Sequence, residues 1–472
     1  MINITINGKT VSAAEGMTVL EAAKANDIYI PTLCAYEGMK PKASCRLCIV
    51  NIEGEKAEKL ACATKIKDGM AVSTDSAELF AKRKATVQEM FRQHTVDCHH
   101  CMRIGSTLAK DFDPDFCKDC YFCDCVRDGF CELQEKGLEF GVDVLPFEPQ
   151  EHDFAIDDST GSIVRNPNKC IKCRRCVDVC KAQGVGILGM VKTENGQTVG
   201  AKNSLMADGC VRCGRCVNVC PTGALFMKEH KDEAVYFAHQ YGTETAAMVC
   251  SCVLPELEKL FKAPEGSFSY EQLVDGLKKL GIDHVYDPAF AKHISDNQAA
   301  DLLDKMLGKG CVILTRDYAA KNYLSAHYPE LKEHFAFYDS MQQVFSDKVK
   351  AAAPNAKLYN ITARNSLGAE AAETGNVDYF INARELFRIF MRTGVRPNLR
   401  RGAQAEKLCE FDRCERYTEL MRAGGWKLDG KAEEMTFTAN GKQYTALICH
   451  NLGQVKAAVE QMDKYDVIKV VG

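Results

Sequence analysis

The chain has 472 residues, enough for three or four domains, each with its own core. Its 60 basic and 64 acidic side chains nearly balance, so composition gives no case for a nucleic-acid or polyanion partner. No apolar run reaches bilayer length, the N-terminus does not have the form of a signal peptide, and nineteen of the 25 cysteines fall before residue 221.

Disulfides suit small secreted domains, but these cysteines sit in tight C-x2-C runs without an export signal. Thiolates that close share one metal centre more readily than they pair. The expectation is a soluble, cytoplasmic, metal-rich protein from a cell that keeps oxygen away from it.

In chain order, "INITINGKTVSA" predicts a β-hairpin turning at Asn7-Gly8, with Ile2, Ile4 and Ile6 on one face. Thr18 caps a short helix, "TVLEAAKAN", stopped by a β-rich "DIYIP". Cys34, Cys45, Cys48 and Cys62 follow with spacing C-x10-C-x2-C-x13-C. Three cysteines on a loop and a fourth from a later strand suit a [2Fe–2S] centre. Zinc is the structural alternative, although zinc ribbons usually show two C-x2-C knuckles.

Residues 76–93 have helical periodicity and lead into His94, Cys98 and Cys101, an H-x3-C-x2-C pattern that Cys131 of "GFCELQ" completes. Imidazole in place of a thiolate removes negative charge and raises a cluster's potential. Between Cys101 and Cys131 lie Cys117, Cys120, Cys123 and Cys125. That run reads first as a further [4Fe–4S] cluster, with zinc, or thiols that exchange roles with the His94 group, as open alternatives.

Two copies of C-x2-C-x2-C-x3-C come next, "CIKCRRCVDVC" and "CVRCGRCVNVC". In two-cluster ferredoxins the fourth cysteine of each run serves the other cluster. That rule groups Cys170, Cys173, Cys176 and Cys220 around one [4Fe–4S] centre, and Cys210, Cys213, Cys216 and Cys180 around another. Each last thiolate is expected at the start of a helix packed beside the partner cluster.

Beyond residue 235 the pattern is α/β. "VYFAHQYG", "AAMVCSCV", "GIDHVYD", "GCVILT", "AKLYNIT", "NVDYFINA" and "YTALICHN" predict strands. "SYEQLVDGLKKL", "ARELFRIFMRTG" and "LGQVKAAVEQMDK" predict helices between them. Most of Cys250, Cys252, Cys311, Cys409, Cys414 and Cys449 should be buried small hydrophobes, with Cys409 and Cys414 the pair to watch.

This order of parts resembles the N-terminal half of iron-only ([FeFe]) hydrogenases and, equally, the large iron–sulfur subunit of respiratory complex I. "IPTLC", "ASCRLCIV", "DCHHC", "CELQ", "NKCIKCRRCV" and "CPTGAL" carry the likeness; the insertion before Cys131 departs from it. "GIDHVYDPAFA", "AHYPELKEH" and "NVDYFINARELFRIFMRTGV" look like the hydrogenase catalytic domain. The resemblance implies four cysteines for the hydrogen-making cluster. Asp317 stands at the first position and Ile361 at the second, and the sequence ends at Gly472, where the last two would follow. Oxygen and hydrocarbon cannot replace those thiolates, so no hydrogenase activity is expected.

The expected fold class is α+β multidomain. A β-grasp [2Fe–2S] ferredoxin-like domain spans 1–78, and a His/Cys cluster segment spans 79–150 with its insertion at 102–130. A two-[4Fe–4S] ferredoxin-like domain spans 151–235, and a degenerate α/β hydrogenase-like domain spans 236–472. Neither a G-x-G-x-x-G fingerprint after a strand nor a P-loop is present, which sends FMN or FAD and NAD(P) to partner subunits. The resemblance extends to Stn-type electron-bifurcating transhydrogenases. It implies a hetero-oligomer with an NAD- and flavin-binding iron–sulfur subunit, a second, NADP-linked flavoprotein, and ferredoxin. An electron-transfer subunit of a formate dehydrogenase or hydrogenase complex is the alternative, and an iron–sulfur redox sensor a further one.

Overall fold

Asn7 and Gly8 both take positive φ, 51° and 79°, as a two-residue type I′ turn requires. The turn folds β1 (Ile2–Ile6) onto β2 (Lys9–Ala13), with Ile4 opposite Val11 in the core. The computed structural model describes residues 1–94, 125–127, 130–142, 154–240, 242–397, 400–428, 430–439 and 441–471. Cys98, Cys101, Cys117, Cys120 and Cys123 lie outside the described residues.

β3 (Ile49–Ile52), β4 (Lys59–Leu60) and β5 (Ala71–Ser73) complete a sheet of order β2-β1-β5-β3-β4, in which β1 and β5 run parallel. α1 (Val19–Ala25) lies on it in β-grasp fashion, held at its start by a reciprocal Thr18–Glu21 capping box. The expected β character of "DIYIP" is not found. Asp27 turns left-handed (φ 56°), and the Ile28 N–H closes on the Ala23 carbonyl at 2.9 Å instead of pairing with a strand.

α2 (Ala77–Gln93) starts at a Ser76 cap, buries Leu79, Val87 and Phe91, and ends at His94. α3 (Glu132–Glu139) packs against it at Gly137, where an added Cβ would come within 2.8 Å of the Phe91 ring. β6 (Ile163–Arg165) then pairs with β9 (Leu225–Met227) around α4 (Arg175–Ala182), the hairpin β7 (Gly189–Thr193)–β8 (Gly196–Gly200), and α5 (Arg215–Val219).

The stretch expected as the strand "VYFAHQYG" lies largely in a helix, α6 (Lys231–His239). Asp232 and Glu233 favour its first turn, and Ala234, Phe237 and Ala238 recur at helical spacing toward the core. The other predicted strands form. β10 (Thr245–Val249) is followed by α7 (Leu254–Leu260), α8 (Tyr270–Leu280), β11 (His284–Tyr286) and α9 (Ala289–Met306). β12 (Val312–Thr315), α10 (Tyr318–His327), β13 (Phe335–Phe337) and α11 (Met341–Ala352) come next. β14 (Lys357–Ile361), α12 (Asn365–Thr374), β15 (Tyr379–Ile381) and α13 (Ala383–Thr393) follow. The last elements are α14 (Thr418–Arg422), β16 (Glu433–Ala439), β17 (Lys442–Cys449), α15 (Val455–Val459) and β18 (Val467–Val470).

Two sheets organise this half. One is fully parallel, β11-β10-β14-β15, and its short strands read as continuous apolar runs because both faces are covered. The other, β13-β12-β18-β17-β16, is parallel except for the β16–β17 hairpin. Among the described residues no helix is long and apolar enough to cross a membrane.

Candidate iron–sulfur sites

Cys34, Cys45, Cys48 and Cys62 come together on the β-grasp domain, none more than 4% exposed. Cys34 shares a thiol hydrogen bond with Cys45, and Cys48 with Cys62, while Cys34 stands in electrostatic reach of both Cys48 and Cys62. The hydrogen bond from Cys45 holds the Cys34 thiol down at about 4, and its partner is raised in turn. Ala43 and Arg46 take positive φ, which curls the loop, and Cys45 accepts the Leu33 N–H at 3.5 Å. Arg83 of α2 pins the far side by donating to the carbonyls of Leu47 (3.0 Å) and Ile49 (2.7 Å).

His94 is buried at the end of α2, its Nδ1 2.9 Å from the Lys169 carbonyl. A carbonyl accepts only, so the proton sits on Nδ1 and the lone pair on Nε2, the arrangement of a ligating histidine. Cys131 caps α3, where burial raises its thiol to about 12 and Cys125 stands in electrostatic reach. Cys125 also lies 3.9 Å from the Lys169 ammonium. The last thiol of the insertion is therefore a neighbour of Cys131.

The two repeats share a backbone. Lys172 and Arg174 in the first, and Arg212 and Gly214 in the second, are left-handed, and Cys170 and Cys210 accept the N–H two residues on, each at 3.4 Å. Cys176 feels Cys173, Cys170 and Cys220; Cys216 feels Cys210, Cys213, Cys176 and Cys180. Cys220 thus stands in electrostatic reach of Cys176, and Cys180 of Cys216. Cys180, Cys210, Cys213 and Cys216 line a single small cavity with Gln183 and Val211. The helix placement differs from the expectation. Cys180 lies in the last turn of α4 and Cys220 just past the end of α5, because each helix already begins before its third cysteine.

Burial pushes Cys173 and Cys210 up to about 12 and Cys213 to about 11. Cys220 differs: burial raises it, but the buried Arg127 guanidinium and backbone N–H groups bring the net below its ordinary value. Burial disfavours the thiolate at Cys173, Cys210 and Cys213, and a bound polynuclear cation would supply the charge that favours it there. Among the described residues no three His, Cys, Asp or Glu side chains converge closely enough to hold one metal ion. The donor set fits iron–sulfur clusters.

Among the described residues of the remaining half no comparable thiol quartet occurs. Asp317 is 8% exposed and caps α10: Oδ1 accepts the Ala320 N–H at 3.0 Å, and Oδ2 accepts the Ser366 hydroxyl at 2.9 Å. Ile361 ends β14 inside the apolar core. Cys311 and Cys449 are buried small hydrophobes, as expected. Cys409 and Cys414 are half-buried against different cores, and Cys414 donates to the Arg416 carbonyl at 3.5 Å. Cys252 departs from the buried reading, being exposed, with Cys250 half-buried beside it.

Residues 1–77 match the 2Fe-2S iron-sulfur cluster binding domain family, 169–224 the 4Fe-4S dicluster domain, and 243–425 the C-terminal domain of the iron only hydrogenase large subunit. NADP-reducing hydrogenase subunit HndD of Solidesulfovibrio fructosivorans is 30% identical over 431 residues, covering 84% of this chain and 69% of that one. The chain belongs to the HndD family of iron–sulfur subunits. Other relatives of this HndD-family chain share parts of it. Iron hydrogenase 1 of Clostridium pasteurianum is 27% identical, covering 75% of this chain and 59% of its own. NADPH-Fe(3+) oxidoreductase subunit alpha of Geobacter sulfurreducens is 32% identical over 179 residues, 38% of this chain and 18% of its own.

Four features were missed by reading the HndD-family sequence alone: the Lys169 carbonyl that orients His94, Arg127 beside Cys220, Gly214 at a tight contact, and the exposed Cys252. The glycine alone had a sequence trace, as the one difference between "CRRC" and "CGRC".

Proposed function

We propose that this chain is the iron–sulfur electron-transfer subunit of a flavin-based electron-bifurcating complex, a ferredoxin-dependent NAD(H)/NADP(H) transhydrogenase of the Stn type. The observation that carries this reading is the contrast between the two halves. The thiol quartets of the N-terminal half are intact, while Asp317 is consumed as a helix cap and Ile361 as core where hydrogen chemistry needs thiolates.

In this reading Cys34, Cys45, Cys48 and Cys62 hold a [2Fe–2S] cluster, and His94, Cys98, Cys101 and Cys131 a [4Fe–4S] cluster. Cys170, Cys173, Cys176 and Cys220 hold a second [4Fe–4S] cluster, and Cys180, Cys210, Cys213 and Cys216 a third. Such clusters, when bound, supply one-electron transfer. The protein's own part is to keep the sulfurs dry, aim N–H groups at them, and fix His94 through Lys169. Cys117, Cys120, Cys123 and Cys125 are in this reading the candidate site of a further [4Fe–4S] cluster or of zinc, with Cys125 in electrostatic reach of Cys131.

Flavin and nicotinamide then reside on partner subunits, an NAD-linked flavoprotein and an NADP-linked one, with ferredoxin as the third carrier. The names of the relatives support an NAD(P)-linked complex: one is an NADP-reducing hydrogenase subunit, another an NADPH-Fe(3+) oxidoreductase subunit. The test is the native complex purified without oxygen. NADPH should reduce ferredoxin only while it also reduces NAD, and no hydrogen should evolve. Hydrogen evolution, or clusters that formate fills and NADPH does not, overturns the proposal.

A further inference from the structure

Cys250 and Cys252 stand at the C-terminal end of the parallel sheet, one strand from the position that Ile361 fills. The Cys250 N–H donates to the Ile361 carbonyl at 2.9 Å. Past β10 the chain makes a single 3₁₀ turn, Ser251–Val253, in which the Cys250 sulfur accepts the Cys252 N–H at 3.3 Å. The two thiols share a hydrogen bond. The Cys252 sulfur also accepts the Ala363 N–H at 3.5 Å and lies 3.4 Å from the Thr362 hydroxyl. Arg364 stands in electrostatic reach of both sulfurs. A cysteine kept only for packing is buried and apolar in its contacts, as Cys449 is; Cys252 is exposed and surrounded by donors.

We propose that Cys252 and Cys250 form a thiol–disulfide exchange pair that takes a low-molecular-weight disulfide, with Cys252 attacking and Cys250 resolving. The roles follow from the geometry. Cys252 is exposed, and the Ala363 N–H and Thr362 O–H are placed to stabilise its thiolate, whereas Cys250 is half-buried. The Cys252 thiolate attacks one sulfur of R–S–S–R: a Cys252–S bond forms, the S–S bond breaks, and RS⁻ leaves. Cys250 then gives its thiol proton to solvent and attacks Cys252 Sγ, forming the Cys250–Cys252 bond and expelling the second RS⁻. Two electrons pass from the cysteine pair to the small disulfide, which ends as two thiols. Two extended residues span at most about 7 Å and a turn spans less, so the Cα atoms fall in the range of roughly 4.4–6.8 Å that a disulfide bridges.

The pair can be read directly, because the tryptic peptide from Asp232 to Lys259 carries these two cysteines and no other. The intact complex is incubated anaerobically with glutathione disulfide, quenched in acid, and mapped by isotope-coded alkylation and mass spectrometry. The peptide should lose both alkylation sites and two hydrogen masses, reversibly with dithiothreitol. Cys250→Ser should trap a glutathione adduct on Cys252, and Cys252→Ser should give neither product. Without oxidant, the hydrogen bond from Cys250 holds the Cys252 thiol down at about 6, while burial raises Cys414 above its usual value near 9. At pH 6 Cys252 should therefore alkylate faster than Cys414. Two cysteines that stay fully alkylated after the oxidant overturn the proposal. So does a pair blocked from alkylation beforehand without loss of mass, since a bound metal then occupies it. The wild-type map decides even if a variant does not fold.

Discussion

Asp317 uses both carboxylate oxygens inside the fold, one on the Ala320 N–H and one on the Ser366 hydroxyl. A side chain so engaged stabilises a helix start, with each oxygen already held by a donor of the fold. Asp317→Ala should therefore cost about 1 kcal/mol for the lost cap and about 1–2 kcal/mol more for the stranded Ser366 hydroxyl. Asp317→Asn, which still caps, should cost clearly less. Denaturant unfolding of the hydrogenase-like half measures the loss, and iron analysis of the same samples should be unchanged in both variants. Iron that falls with the substitution would make Asp317 a ligand and undo the argument. His94 sits at the opposite pole: one backbone carbonyl decides which ring nitrogen keeps the lone pair.

Among the elements, α4 and α5 are copies of one motif, entered through left-handed residues at Arg174 (φ 63°) and Gly214 (φ 70°). The first copy tolerates arginine there. The second cannot, because an added Cβ at Gly214 would come within 2.3 Å of Asn365 Cβ, and Asn365 Nδ2 donates to the Gly214 carbonyl at 3.3 Å and to Asn218 Oδ1 at 2.7 Å. The ferredoxin-like and hydrogenase-like halves meet at this contact. Gly214→Ala should loosen it: limited proteolysis should cut faster between the halves, and the electron paramagnetic resonance signal of the Cys180 quartet should shift. Arg174→Gly should change neither, and equal effects from the two would refute the docking role. This contact also marks the limit of what was legible in the sequence. The Asn7-Gly8 turn and the Thr18 cap are local, and the structure has them where the residues suggested. "VYFAHQYG" misled because aromatic residues imitate a strand when the Lys231-Asp232-Glu233 start is overlooked. Asn365 against Gly214, or Thr362 beside Cys252, are pairings across more than a hundred residues and leave no local trace.

At the scale of the molecule, the sulfur sites share cores. Cys34, Cys45 and Cys173 are buried in one apolar cluster with Leu33, Phe91 and Leu133, and Cys131 packs at its edge. Lys42 pairs with Asp178 of α4 at 2.8 Å, and Arg175 grips Glu132 of α3 through two bonds of 2.9 and 2.8 Å. The β-grasp domain, the His94 segment and the first repeat should therefore open together, although three sequence regions build them. Phe91→Ala, at a site 2% exposed, should cost about 3–5 kcal/mol. The visible circular dichroism of the [2Fe–2S] site and the resonance signal of the Cys176 quartet should then vanish at one lowered denaturant midpoint under anaerobic titration. Phe290 is equally buried, but in the separate core beneath β10 and β14, so Phe290→Ala should leave that midpoint in place. Two midpoints in the Phe91 variant, or one that Phe290→Ala lowers as far, would mean that the shared core does not bind the sites into one cooperative unit.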